Sequence, residues 1–472
     1  MNSRTHAGGG FTESTGVPGY ALNRRSESGI AGSPGTLARV IPRDGLQFVL
    51  FLLIVVSISR IHQHYGFIGA IRPGVTLLSL GGLFALINPR SLDFAGFSTR
   101  PAKVVVAIVV LACISVPFGL SMGNSAKFLL ESYFRMLAVY VLVLMAIRTP
   151  RDISNFVWAF VIAVAILTWM AMFVFRLGGA PGQMMRLGNM YMYDANDLGV
   201  FLLMGIPLTL VVMDSSGKWG RIFGALLLGA IGVSLARSGS RGAFVGLIGL
   251  SVAFVGWAQH IDIVKRISAI AVIVLALAVA APPGYWDQMR SLQDPTEDYN
   301  WDADSGRRKL AQRGFGYMLR YPLTGVGIDN FNKAEWQISS MAQELGRQKG
   351  IRGAAAHNTW VQIGAELGVT GLVLWLSLLF GTIFAVARTR KQLPVSWKRG
   401  PPDQRLLYSL SFYLPLAIWA FAVPSTFVSH AYMDPMYYLA ALSAGYLVAV
   451  RRELQKERSL RAGPALRAPR HA

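Results

Sequence analysis

Apolar runs close to the 20 or so residues that an α-helix needs to cross a hydrocarbon layer of about 30 Å recur along almost all of this 472-residue chain. They fall near 45–60, 67–88, 102–120, 127–147, 153–175, 196–214, 219–236, 242–258, 264–281, 361–387, 406–424 and 435–450. With 53% hydrophobic and only 15% charged residues, a water-soluble fold would need a core larger than the chain can wrap. In a bilayer each backbone amide and carbonyl must find its partner within the spanning segment, so the runs read as helices. The predicted class is an all-α polytopic membrane protein of about 12 transmembrane helices. Pro73, Pro117 and Pro207 interrupt runs and mark spans that tilt, break or re-enter.

Orientation follows from the short connections. Lysine and arginine concentrate in alternate loops, in Arg388–Arg405 and in the tail Arg451–Arg470, and such loops stay in the cytoplasm. Both termini are therefore expected inside. The formal net charge of +21 reads as a topology signal, because it is split among short loops rather than gathered into the single patch a nucleic acid would need. Residues 1–43, rich in Gly, Ser, Pro and Arg, are expected to be a disordered cytoplasmic tail. Residues 44–281 would hold nine spans, 282–357 a long outer loop, 358–450 three spans and 451–472 a basic cytoplasmic tail. Cys113 is the one cysteine and lies inside an apolar run, so no disulfide framework or thiolate cluster is available.

The chemistry gathers on the outer side. The long loop is near charge balance and carries Leu310, Phe315, Met318 and Leu319 at roughly helical spacing. Phe331, Trp336, Ile338 and Met341 follow as a second amphipathic piece after the Gly325-Val-Gly327 turn, so the loop is expected to be partly helical and to cap a site. At its end His357-Asn358 meets an apolar span. On a straight helix His357, Val361, Gly364, Gly368 and Gly371 would share one face, with Glu366 opposite, where it would cap or brace a neighbouring element. A neutral imidazole there can take a proton from an attacking hydroxyl. Arg186, Arg237 and Arg241 lie outside against the orientation rule, and a planar guanidinium suits capture of an anionic phosphate; capping a helix C-terminus or snorkelling to headgroups is the competing use. Arg135, four residues after Glu131, is read as an internal ion pair or a cavity residue. His62, His64 and His430 are read as structural. Asp302 and Asp304, in an acidic stretch from Asp294, lack the spacing of a dedicated calcium loop, so no metal site is assigned.

Taken in order, Arg186-Leu-Gly188 with Asp194-Ala-Asn196, Ser238-Gly-Ser-Arg241-Gly, Tyr321-Pro-Leu-Thr-Gly325-Val-Gly327-Ile-Asp-Asn330-Phe, and His357-Asn358 with Glu366-Leu-Gly368 and Gly371 resemble the O-antigen ligase and O-antigen polymerase superfamily of bacterial envelope enzymes. The resemblance covers roughly Arg186 to Gly371. It implies a GT-C-like, metal-independent glycosyltransferase of the inner membrane with no cofactor. Such an enzyme moves a glycan from undecaprenyl pyrophosphate to an acceptor hydroxyl at the periplasmic face. On that resemblance His357 is the catalytic base, Arg186, Arg241 and Arg237 hold the donor pyrophosphate, and Asn196, Asn330, Asn358, Glu366 and Gly368 support them. The expected partners are the lipid-linked donor, a lipid A core, glycan or protein acceptor, and membrane lipid, with no nucleic acid. Ligase-type transfer is the first expectation, polymerase-type transfer the second, and a polysaccharide or lipid flippase the third.

Overall fold

The computed structural model describes residues 44–178, 184–188, 190, 194–293, 306–349 and 354–461, all within one compact unit. It is an all-α bundle. Among the described residues eight helices are long and apolar enough to cross a membrane, and Gly45–Ser59, Pro73–Ile87 and Arg241–Trp257 are shorter apolar helices. The run near 435–450 lies within the helix Asp434–Arg461. Among the described residues the strands are limited to Leu177–Gly178 and Arg186–Leu187, an antiparallel pair with Gly178 opposite Arg186.

Two helices form the centre. The best apolar windows of Ala195–Ser215 and Pro402–Phe427 are both 83% buried, against 11% for Ile263–Ala280 at the rim. Without a hydrophobic drive between helices in lipid, close approach rests on small residues, and where Ala195–Ser215 packs on Arg241–Trp257 a side chain on Gly199 or Gly246 would collide with Ala243 or Leu203. Helix starts follow local chemistry. Thr149 and Asp152 form a capping box before Pro150–Phe173, as Asp194 and Asp197 do before Ala195–Ser215, satisfying amides that the first turn leaves without partners. Pro73 occupies the first position of its helix rather than breaking a span, where its missing N–H costs nothing.

The segment between the Ile263–Ala280 and Thr359–Arg390 helices is folded, as its apolar spacing led us to expect. Arg307–Arg320 and Phe331–Gln337 enclose a small core of their own built on Leu310, Tyr317, Val326, Phe331 and Ala334. The inward stripe of the first helix is Leu310, Gly314, Tyr317 and Met318, while Phe315 and Leu319 stand exposed. Glu335, 1% exposed, accepts from Arg313 Nε at 2.9 Å, Arg313 Nη2 at 2.7 Å and the Tyr317 hydroxyl at 2.7 Å. That buried fork locks the two helices together.

The Thr359–Arg390 helix is not straight. Gly368 has φ 71° and ψ −172°, and a side chain there would run into the Pro322 carbonyl. The break frees carbonyls that the Pro322–Gly327 turn then occupies: Val326 N donates to Ala365 O at 2.9 Å and Gly327 N to Glu366 O at 3.0 Å. Gly327 itself, at φ 93°, passes Gly119 so closely that an added Cβ would lie 2.7 Å from its Cα. The small-residue face seen in the sequence is filled by the chain's own Arg307–Arg320 helix, with Met318 over Gly364 and Val361 over Gly314.

Candidate functional site

One end of the bundle collects the residues singled out by the sequence, and hydrogen bonds join them in sequence. Arg186 is exposed at the start of its short strand, and its Cβ would lie 3.2 Å from a Cβ placed on Gly239, so the strand pair and the Ser238–Arg241 turn are neighbours. Gly239, in the left-handed region at φ 57°, ends one helix, and Ser240 begins the next by accepting from Ala243 N at 3.0 Å. Arg241 is the first residue of that helix and donates to Ser291 Oγ at 3.0 Å. Ser240 donates to Asn196 Oδ1 at 2.7 Å, tying the arginine turn to the start of Ala195–Ser215. From there Asp197 Oδ1 meets His430 Nε2 at 2.8 Å, and His430 N donates to Thr359 Oγ1 at 3.0 Å. Thr359 opens the helix whose cap is Asn358, which accepts from Trp360 N and Val361 N at 2.9 and 3.1 Å.

His357 stands immediately before that cap, exposed and with a left-handed backbone at φ 47°. An unbranched non-glycine residue held there is strained, and such strain gathers at sites where side-chain direction matters. Surrounding protein and then the positive charge of Arg307 hold its imidazole below the ordinary histidine range, against the opposing pull of Asp194 and Asp197. A lowered value keeps the ring neutral near pH 7 and able to accept a proton. Arg307 was not among the residues picked out by motif. It opens the Arg307–Arg320 helix, with its guanidinium 5.9 Å from the Phe427 ring centre, and the signal that could have found it is a cation at the start of an amphipathic helix above the site.

The remaining candidates separate from this group. Arg237 donates to Ala171 O at 2.9 Å and Phe175 O at 3.4 Å, which caps the end of Pro150–Phe173 in the way the competing sequence reading foresaw. Asn330 is fully buried and donates to Val326 O at 3.0 Å and Ser125 Oγ at 3.1 Å, pinning the turn to the Met122–Ala146 helix. Glu366, 2% exposed, accepts from Phe331 N at 3.2 Å and so braces the Phe331–Gln337 helix. Gly368 is the break described above. Asn330, Glu366 and Gly368 thus make one joint that fixes the start of Thr359–Arg390, and with it His357, relative to the arginines. His430, 1% exposed, braces two elements and cannot reach a substrate. Among the described residues no group of three or more His, Cys, Asp or Glu could hold a metal; Asp302 and Asp304 lie outside the described residues.

Cationic and imidazole side chains thus converge at one end of a bundle of apolar helices long enough to cross a membrane. Residues 223–376 match the family model described as O-antigen ligase, and over that stretch the resemblance to the O-antigen ligase and polymerase superfamily is borne out. The match supports an enzyme of the glycosyltransferase-like kind in a membrane, and the family implies a lipid-linked glycan donor and a glycan acceptor. The match contains Arg241, Arg307, Asn330, His357, Glu366 and Gly368 and leaves Arg186 and Asn196 outside. No curated protein matches the chain.

Proposed function

We propose that the protein is a ligase-type transferase that moves a glycan from undecaprenyl pyrophosphate to an acceptor hydroxyl at the periplasmic face of the inner membrane, with both termini cytoplasmic. The observation that carries this reading is the placement of a neutral-leaning, backbone-strained His357 beside Arg307 and at the end of the hydrogen-bonded chain that begins at Arg241.

In the reaction, the acceptor oxygen bonds to the anomeric carbon while the bond from that carbon to the pyrophosphate oxygen breaks. The acceptor proton passes to His357, and undecaprenyl pyrophosphate departs with the electron pair. Arg186, Arg241 and Arg307 meet the charge that grows on the departing oxygens, which is where preorganised cations lower a barrier most. A single direct displacement inverts the anomeric centre and requires no pair of carboxylates. Arg237, Asn196, Asn358, Glu366 and Gly368 act through the residues they position.

Deleting the gene and sizing the glycan left on undecaprenyl pyrophosphate tests the ligase reading. Long unattached polymer is expected. Single repeat units would replace it with a polymerase, and absence of lipid-linked glycan outside the membrane would replace it with a flippase.

A further inference from the structure

A basic cavity built largely from residues before the stretch matched to the family lies at the same end of the bundle. It has a volume of about 900 Å³ and runs between the Gly45–Ser59, Pro73–Ile87 and Met122–Ala146 helices, lined among others by Arg60, Arg72 and Arg135. That volume is at the upper end of small-ligand sites. Arg135 sits within a helix long and apolar enough to span a membrane, and neither its side chain nor that of Arg72 makes a hydrogen bond or ion pair among the described residues. Glu131, the partner suggested by sequence spacing, does not engage Arg135. A charged side chain at membrane depth that faces a cavity rather than a counter-charge marks a ligand path. The cavity's acids counter only part of this charge: Asp434 accepts from Ser57 Oγ at 3.0 Å and interacts with Arg60, and Asp329 is engaged by Asn124 at 3.3 Å and by Lys333, so neither is paired with Arg72 or Arg135.

Its construction is rigid. Arg60 and Arg72 are both held left-handed, at φ 50° and 45°. Between them Gly69 packs on the His62 carbonyl so closely that a side chain would lie 2.8 Å from it. His62 Nδ1 and Ser429 Oγ are buried polar atoms of the lining with no partner, donors or acceptors set toward whatever enters. Beside the cavity, Pro73–Ile87 buries only Pro73, Gly81 and Ala85 and exposes Leu83, Phe84, Leu86 and Ile87, a face along which acyl chains can lie.

The wall between this cavity and the His357 site is shared. In the segment Val428–Asp434, His430 turns to Asp197, while Ser429, Tyr432 and Met433 line the cavity. Gln362, also a lining residue, begins one helical turn beyond Asn358, whose carbonyl it bonds at 2.9 Å. A transfer between two lipid-borne sugars needs two anchored lipids with their headgroups brought to one base, and a basic cavity behind the segment that braces the His357 site suits one of them.

We infer that the Arg60–Arg72–Arg135 cavity binds the phosphate groups of the second, acceptor-bearing glycolipid, separately from the donor pyrophosphate at Arg186 and Arg241. The assignment of the cavity to that second substrate rests on the transfer reading above, but the binding test does not. Full-length protein in phosphatidylglycerol nanodiscs is titrated with diphosphoryl lipid A and, separately, with undecaprenyl pyrophosphate, for wild type, Arg72→Gln, Arg135→Gln, Arg135→Lys and Arg241→Gln, each checked for an unchanged unfolding midpoint. Each of Arg72→Gln and Arg135→Gln should weaken lipid A by about tenfold or more, the scale of one charged hydrogen bond. Undecaprenyl pyrophosphate should be unaffected by these and weakened by Arg241→Gln, and Arg135→Lys should recover part of the lipid A loss. Lipid A binding unchanged in both variants, or saturation of the cavity by phosphatidylglycerol so that lipid A never displaces it, overturns the site. Loss of undecaprenyl pyrophosphate instead assigns the cavity to the donor and overturns the acceptor. Failure of glycan transfer in a protein that shows the expected binding would strike the transferase reading and leave this one standing.

Discussion

Apart from the Arg313–Glu335 pair and the bonded Arg237 and Arg241, several arginines are held differently at the two ends of the bundle. At the end away from His357, cations are neutralised where they stand: Arg148 meets Asp44 at 2.8 Å, Arg452 bonds Asp93, and Arg390 lies 4.8 Å over Trp257 and 4.7 Å over Phe412. At the His357 end, the side chains of Arg72, Arg135 and Arg186 have no hydrogen bond or ion pair among the described residues, and the backbone is left-handed at Arg60, Arg72, Asp329 and His357. Among the described residues, all four positive-φ residues other than glycine are at that end. Ion pairs and aromatic stacking at one end settle the chain, whereas strain and open charge at the other are tolerated only because a rigid joint around Gly368 holds them. The difference separates the part of the molecule that anchors from the part that acts.

If that contrast is right, the largest loss comes from the least structural residue. His357→Ala is expected to cut glycan transfer by about 10²- to 10⁴-fold, the contribution of a positioned general base, with the unfolding midpoint in detergent unmoved; activity within a few-fold of wild type would remove His357 from the chemistry. Next comes the joint of the long loop. Glu335→Ala leaves Arg313 buried without its partner and should cost roughly 3–5 kcal/mol in stability, read as a lowered midpoint, whereas Glu335→Gln should keep part of it through the Tyr317 bond. A smaller effect concerns pH. Because burial first and Arg307 second hold His357 low, wild-type transfer should stay level as pH falls through the ordinary histidine range and decline only below it. Arg307→Gln removes a cause of the lowering, so the acid limb of the rate profile should move to higher pH. Asp194→Asn removes an opposing cause and should move it lower. Identical limbs in all three proteins would dissociate the histidine from the rate.

Much of this contrast was legible in the sequence, and the misses have physical reasons. Helix positions followed from apolar run length, because lipid leaves the backbone no alternative. The Gly-rich motifs marked this region: Asn330, Glu366 and Gly368 read as supporting residues, Glu366 as a brace for a neighbouring element, and in the fold they form one joint with the Gly325-Val-Gly327 turn. Their roles depend on a helix break that no 100° wheel contains, since Gly368 resets the face on which everything before it lies. Arg237 and Arg241 are four residues apart and looked equivalent, but one ends inside a helix where carbonyls of Pro150–Phe173 are within reach, and the other starts a helix beyond them. Arg60 and Arg72 carried the same signal as Arg186, positive charge on the expected outer side, and were passed over because no motif surrounds them.

The smallest expected effect tests the anchoring end directly. Arg148 and Asp44 are 27% and 31% exposed on their side chains, so water screens their attraction and each pays side-chain entropy to hold one geometry. Such pairs contribute about 0–1 kcal/mol. Arg148→Ala should therefore lower the unfolding midpoint by a degree or so at most for a chain this long, and raised salt should shrink even that. Glycan transfer should not change, because no element links Arg148 to the site except the length of the helices themselves. The same substitution at Arg241 removes a cation placed at the turn that Ser240 and Asn196 fix, where geometry rather than screening sets its worth. A transfer defect in Arg148→Ala as deep as that in Arg241→Ala would mean that charge matters at both ends alike, and the division between anchoring and acting ends would fail.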